Sequence, residues 1–391
     1  MKTFTCSCKD QQILFFESNN CVACNRTVGL DDNFDKVEPY ELDQENGEYF
    51  KAARPEVRFQ KCDNHANYNT CNGMVNLNTF VPATNEGEAL CFACRFNETI
   101  PDLSIVKHIP LWQKMEVAKR RALYTLKALS LPLHNIRQEP EGGLSFDFIA
   151  DRDVSDHFVS QLKDTKMVFT GHDCGHITIN LAEADDVARA NTKMALGEQY
   201  RTLLGHFRHE LGHYYFDKLI LDSPEKHALS KKYFGDDALD YQEAMNTHYK
   251  NGAPENWRDA FISEYATMHP YEDWAETWAH YMHIIDTLET AQNFSITGST
   301  SGNTNNNEDL AELNLPQDAY FFSSQTSITS ILDTWMDFSV ILNSLNRSMG
   351  LNDAYPFVLT QTVRSKLSFI HHAIHGRLNR MPEVIVTTNK D

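Results

Sequence analysis

The residues best suited to chemistry are His209-Glu210-Leu211-Gly212-His213. Two histidines four residues apart share one helix face, so both imidazoles can reach a single zinc ion. Glu210 stands beside them, where its carboxylate can take a proton from zinc-activated water. Catalytic zinc needs a third protein ligand and one open position. His213-Tyr214-Tyr215-Phe216-Asp217 supplies no further histidine, so the candidates lie downstream in Glu272-Asp273-Trp274-Ala275-Glu276. Glu272 and Glu276 are one helical turn apart and face the same way, while Asp273 is rotated away from both. Helical spacing leaves the choice between the two glutamates open, and an acidic first turn would also complement a helix dipole. His206, seven residues before His213, reads as a supporting or packing residue. Asp217, four residues after His213, could orient an imidazole through its other nitrogen or sit solvated on the helix.

Nine cysteines form a second signal, because eight of them precede residue 95. Cys6-Ser-Cys8 pairs with Cys21-Val-Ala-Cys24, and Cys62 and Cys71 pair with Cys91-Phe-Ala-Cys94. Zinc takes four soft ligands in a tetrahedron, and short gaps let a tight turn deliver two thiolates to one ion. Each metal then supplies folding free energy that a short segment cannot gather from its own small core. The expectation is two structural zinc ions here and one catalytic ion downstream. Cys6-Ser-Cys8 is one residue tighter than the common spacing, and Asp63 and His65 are available as substitute ligands at the second site. Some of these thiols could instead be small buried apolar groups. Cys174 stands alone and reads as a loop thiol. Closed thiolate sites offer no place for substrate, so this region suggests zinc binding and a protein partner rather than a reaction.

The elements that must position these groups follow from periodicity. Met115, Ala118, Ala122, Leu126 and Leu129 recur at helical steps until Pro132. Val168–Thr170 and Ile177–Leu181 read as strands about a Gly171–Gly175 turn. A helix from about Glu198 to Ile220 would carry the two histidines, with Tyr200, Leu203, Leu204, Phe207, Leu211 and Tyr215 on its buried side. Further helices are expected near Asp237–Tyr249, Glu255–Thr267 and Tyr271–Ala291. Asn293–Asn307 reads as a loop, and helices rich in Leu, Ile and Phe close the chain. No repeat at solenoid spacing occurs.

Composition limits the function classes. The chain has 391 residues, 41% hydrophobic and 23% charged, which suits a globular protein with at least one sizeable core. With 35 basic against 54 acidic residues the formal charge is −19, so no nucleic-acid partner is expected. No apolar run reaches the length of a membrane span, and Met1-Lys2-Thr3-Phe4-Thr5-Cys6 lacks an apolar signal core. The expected location is the cytoplasm, with no membrane partner.

Longer stretches carry a resemblance. They are Cys91-Phe-Ala-Cys94-Arg-Phe-Asn97-Glu-Thr-Ile-Pro-Asp102-Leu103, Ile177-Thr-Ile-Asn-Leu-Ala-Glu183-Ala-Asp185-Asp186 and Tyr200-Arg-Thr-Leu-Leu-Gly-His206-Phe-Arg-His209-Glu-Leu-Gly-His213-Tyr-Tyr. Leu345-Asn-Arg-Ser-Met-Gly350 and Tyr355-Pro-Phe-Val-Leu359 belong with them. Over nearly its whole length the sequence resembles the bacterial zinc-binding metallopeptidase family with an N-terminal zinc ribbon. The resemblance implies an α+β chain. A zinc-ribbon region over 1–104 precedes a mainly helical zincin-like domain with a small sheet over 105–391. Its catalytic core would span about 160–290 and its C-terminal helical part about 308–391.

The wider gluzincin group adds an alignment. There the ligand glutamate begins a Glu-x-Phe-Ala-like turn, and a tyrosine seven residues earlier helps polarise the substrate carbonyl. Glu272-Asp-Trp-Ala and Tyr265 match that spacing, with tryptophan replacing phenylalanine. The resemblance thus implies His209, His213 and Glu272 as zinc ligands, Glu276 as support, Glu210 as general base and Tyr265 as electrophile. The reading is peptide-bond hydrolysis on a peptide or protein substrate, with the strand at Ile177–Leu181 as an edge for substrate pairing by analogy with zincins. Two rivals are a zinc-ribbon scaffold with an inactive peptidase-like domain and a zinc hydrolase of non-peptide amides. Retention of Glu210 argues against the scaffold, which has no need of a base.

Overall fold

The computed structural model describes residues 1–80, 82, 87–150, 170–189, 202–296, 298–300, 311–313 and 321–381. The chain forms two compact units, residues 1–196 with 202–207, and residues 197–201 with 208–391.

In the first unit, β1 (Phe4–Thr5) and β2 (Ile13–Leu14) form a hairpin whose turn carries Cys6 and Cys8. An antiparallel meander follows, of β3 (Thr27–Leu30), β4 (Val37–Leu42), β5 (Tyr49–Lys51), β6 (Arg54–Lys61) and β7 (Met74–Asn76). Alternation along the strands sends Tyr40, Phe59 and Met74 to one face, where they pack together. The short helix α1 (Asp63–Tyr68) ends at Asn69 with φ 53°, a left-handed conformation that asparagine tolerates, and this returns the chain toward Cys71.

The second sheet of this unit has the order β10-β11-β9-β8, formed by β8 (Asn97–Thr99), β9 (Ser145–Ile149), β10 (Gly171–Asp173) and β11 (His176–Asn180). β8 and β9 are parallel, so their connection must cross over, and α2 (His108–Ala128) is that crossover. All five apolar positions expected on this helix are buried. α2 also buries a Lys119–Glu116 ion pair at 2.9 Å, and Asn97 of β8 donates to the same glutamate at 2.8 Å. Leaving either charge alone there would cost several kcal/mol, on the order of 3–5, so the pair ties helix to strand.

The second unit is helical. α3 (Leu203–Leu219) carries the two histidines, and its residues from Arg208 onward belong to this unit. α4 (Pro224–Phe234), α5 (Tyr241–Asn251), α6 (Pro270–Asn293), α7 (Ile328–Ser348) and α8 (Gln361–Ile374) follow, with β12 (Gly298–Thr300) and β13 (Ala311–Leu313) paired between α6 and α7. α6 is the central helix. It begins at Pro270 because His269, held extended by the following proline, caps it by accepting from Tyr271 N at 3.1 Å. Trp274, Trp278, Tyr281, Ile284, Ile285 and Leu288 on it are fully enclosed, each contributing about 1.5–3 kcal/mol by burial. Trp274 meets Phe216, Phe234 and Phe369 edge-on, which joins α3, α4 and α8 around α6. Among the described residues no helix is long and apolar enough to cross a membrane.

Several expectations change. Glu255–Thr267 is not a helix but an irregular segment with two single turns, Trp257–Asp259 and Tyr265–Thr267. Ser263 there hydrogen-bonds Ala266 N and a distant carboxylate, a use of hydroxyl groups that competes with helix. The Gly171–Gly175 turn shrinks to Cys174 and Gly175, both at positive φ, because Gly171–Asp173 is strand. The strand expected at Val168–Thr170 and the helical start at Glu198 to Arg201 lie outside the described residues, apart from Thr170. β11 is not an edge: β10 pairs with it on one side and β9 on the other, so its backbone groups are not open to a substrate strand. The Asn293–Asn307 stretch begins inside α6 and includes β12.

Candidate metal centre

α3 and α6 bring three groups to one point. His209 Nε2 and His213 Nε2 face each other at 3.2 Å, as two imidazoles one turn apart must when both lean the same way. Glu272, in the first turn of α6, approaches with Oε2 at 2.9 Å from His209 Nε2 and Oε1 at 3.4 Å from His213 Nε2. All three side chains are buried. Donors about 2.0–2.1 Å from one tetrahedral ion stand about 3.3 Å apart; the two imidazole nitrogens have that spacing, and one Glu272 oxygen lies near each of them. Glu272 Oε2 is buried without a hydrogen-bond partner despite its closeness to His209, the condition of an oxygen that would hold a metal. The residues therefore fit a zinc ion.

The surroundings orient these donors. His209 Nδ1 lies 2.7 Å from Glu276 Oε1, and Ser263 Oγ donates to the other oxygen of Glu276 at 2.6 Å. That contact directs the His209 proton to Nδ1 and aims Nε2 at the centre. Burial opposes charge on His209, yet the close carboxylates of Glu272 and Glu276 raise its pKa well above the ordinary value. Burial likewise disfavours a charged Glu272, but the two imidazoles hold its carboxyl well below the usual range. The same field attracts a divalent cation. His213 is held differently. Its Nδ1 has no hydrogen-bond partner among the described residues, and Tyr271 stacks on the ring with centroids 4.1 Å apart.

Glu210 is buried, and its charge acts on the hydroxyls of Tyr241, Tyr265 and Tyr271. The Tyr265 ring lies 5.9 Å from that of His209. Burial, reinforced by Glu272, raises the Tyr265 pKa well above its ordinary value, so the hydroxyl keeps its proton and can donate. Asp217 makes no hydrogen bond to His213 Nδ1; burial raises its pKa, and the His213 charge acts on it from one turn away. His206 is not at the centre: its Nδ1 lies 3.5 Å from Glu183. Ser263, Tyr271 and Tyr241, whose hydroxyl donates to Glu272 Oε1 at 2.9 Å, carried no motif that pointed to them.

Helix approach sets this geometry. Trp274 Nε1 donates to Gly212 O at 2.8 Å, and a Cβ at Gly212 would stand 2.9 Å from Ala275 Cα. Backbone cannot yield as a flexible side chain can. Gly212→Ala is therefore expected to destabilise by about 1–3 kcal/mol, despite alanine's better helix propensity. Urea unfolding checks this, and a variant as stable as its parent would show that α3 and α6 can part freely.

The eight N-terminal cysteines gather into Cys6, Cys8, Cys21, Cys24 and Cys62, Cys71, Cys91, Cys94. Sulfur separations of 3.9 Å for Cys6–Cys24, 4.0 Å for Cys8–Cys21 and 3.9 Å for Cys71–Cys91 are far too long for disulfides. They match the roughly 3.8 Å between thiolates around one tetrahedral zinc with Zn–S near 2.3 Å. Asp63 and His65 are in neither group; Asp63 instead accepts from Ala89 N at 2.7 Å. Cys174 is exposed.

Two four-cysteine clusters and a histidine–glutamate cluster are donor sets suited to zinc. Comparison with known proteins agrees. Residues 108–373 match the model of a family described as "Putative zinc-binding metallo-peptidase", and residues 3–105 match a zinc-ribbon domain. The chain belongs to that metallopeptidase family. Proteins of Mycobacterium bovis and of two strains of Mycobacterium tuberculosis, each named as uncharacterized, are 38% identical to it over 301 residues, 77% of this chain and 80% of theirs. No solved structure matches the chain.

Proposed function

We propose that this chain hydrolyses peptide bonds with zinc held by His209, His213 and Glu272, and with Glu210 as general base. The observation that carries the reading is the buried convergence of His209, His213 and Glu272, with Glu276 behind His209. A bound zinc ion supplies Lewis-acid polarisation of the scissile carbonyl and acidifies the attacking water. Glu210 takes the proton of that water and later passes it to the leaving amine. The protonated Tyr265 hydroxyl donates a hydrogen bond to the oxygen where negative charge develops. Glu276, steadied by Ser263, keeps His209 in the tautomer that presents Nε2.

The two thiolate clusters, within an N-terminal region taken as residues 1–104, have structural roles in this reading and leave their outer surface to a protein partner. Three zinc ions per chain are expected, two closed in thiolates and one exchangeable. Incubation with denatured casein or a peptide library tests the activity. Cleavage should vanish when mild chelation removes about one equivalent of zinc and return when zinc is restored. Cleavage that persists after that equivalent has left would overturn the reading, as would hydrolysis of simple amides but no peptide.

A further inference from the structure

We infer that Tyr241 is a positioning residue that holds Glu272 as a one-oxygen metal donor, an inference resting on the zinc site proposed above. Tyr241 is the first residue of α5, just after its cap Asp240, whose side chain accepts from Glu243 N at 2.7 Å. α5 buries none of its residues, so it is not held by a core of its own. It is attached through a few groups at the edge of the metal cluster. The Tyr241 hydroxyl donates to Glu272 Oε1 at 2.9 Å. Its ring packs on that of His269, the cap of α6, with centroids 5.3 Å apart. His248, two turns further along α5, lies 3.3 Å from Thr267 Oγ1.

The two oxygens of Glu272 thus have different surroundings. Oε1 accepts from Tyr241 and lies 3.4 Å from His213 Nε2, while Oε2 is buried, accepts no hydrogen bond and lies 2.9 Å from His209 Nε2. A carboxylate with one oxygen occupied by a phenol presents the other to a metal. Without the phenol both oxygens are free to turn inward, and the donor count at the ion can rise. Nothing in the H-E-x-x-H pattern or the tyrosine seven residues before Glu272 requires this third element.

The test uses full-length protein with Tyr241→Phe, which keeps the ring and removes the hydroxyl. The exchangeable ion is removed by mild chelation, and zinc affinity is measured by competition with a chelator. The apoprotein at that site is also loaded with cobalt(II), whose visible spectrum reports donor number. Loss of a hydrogen-bond partner behind a ligand weakens a metal typically about 10–100-fold, and that weakening with a changed cobalt spectrum is expected. His248→Ala is the control, since it loosens α5 but leaves the Tyr241 hydroxyl in place. Equal weakening and equal spectra in both variants would assign the effect to helix docking and overturn the inference. Parental affinity and spectrum in Tyr241→Phe would overturn it while leaving the zinc reading intact. A parent that takes up neither zinc nor cobalt at the exchangeable site would overturn both.

Discussion

Glu210→Gln is expected to retain its full zinc content and to lose peptide hydrolysis by about 10²–10⁴-fold, the usual contribution of a positioned base. Glu210 is not among the three donors that converge, so its replacement removes none of them. Glutamine preserves size and one carbonyl oxygen, so the buried position stays filled, but a neutral amide does not accept the proton that the reaction releases. Loss of the negative charge also leaves Tyr265 and Tyr241 protonated, because that charge only reinforces the dominant effect of their burial. The variant should therefore keep the oxyanion donor and the metal and lack only the base. Metal analysis beside turnover on one peptide decides the matter. A variant cleaving at the parental rate would place the base elsewhere, whereas one that has lost zinc would make Glu210 part of the metal cage.

Glu272→Ala is expected to have the largest effect on metal. It removes one of three donors, a carboxylate that approaches both imidazoles with oxygens 2.9 Å from His209 and 3.4 Å from His213. The exchangeable zinc should be absent after ordinary purification, while the two thiolate-bound equivalents remain. Glu276→Ala leaves all three donors in place and removes only the group behind His209 Nδ1. Its zinc should bind about 10–100-fold more weakly rather than disappear. Zinc content of the two variants under equal dialysis separates the roles. Retention in Glu272→Ala with loss in Glu276→Ala would move the ligand by one turn of α6.

Whatever depends on local periodicity was legible in the amino-acid order. A 3.6-residue repeat makes His209 and His213 share a face wherever the helix sits, and the short gaps between cysteines make each pair available to one ion. The pre-proline position of His269 likewise sets where α6 begins, and the buried side of α2 was readable from its apolar steps. Periodicity could not choose between Glu272 and Glu276, because residues one turn apart face the same way; the choice came from a resemblance and the spacing of Tyr265. The helix expected over Glu255–Thr267 failed because Ser263 makes its hydrogen bonds to Ala266 N and to Glu276, thirteen residues on. The edge expected at Ile177–Leu181 failed because β11 pairs with β10 through a tight hairpin on one side and with β9 in parallel on the other, which encloses it between two neighbours. Tertiary structure alone decided that Glu272 meets both imidazoles, that Glu276 stands behind His209, and that Tyr241 reaches Glu272 across 31 residues of sequence. The physical reason is the approach of two helices. Gly212 lets Ala275 come close, and Trp274 ties the pair through the Gly212 carbonyl, so the first turn of α6 is held against the two histidines.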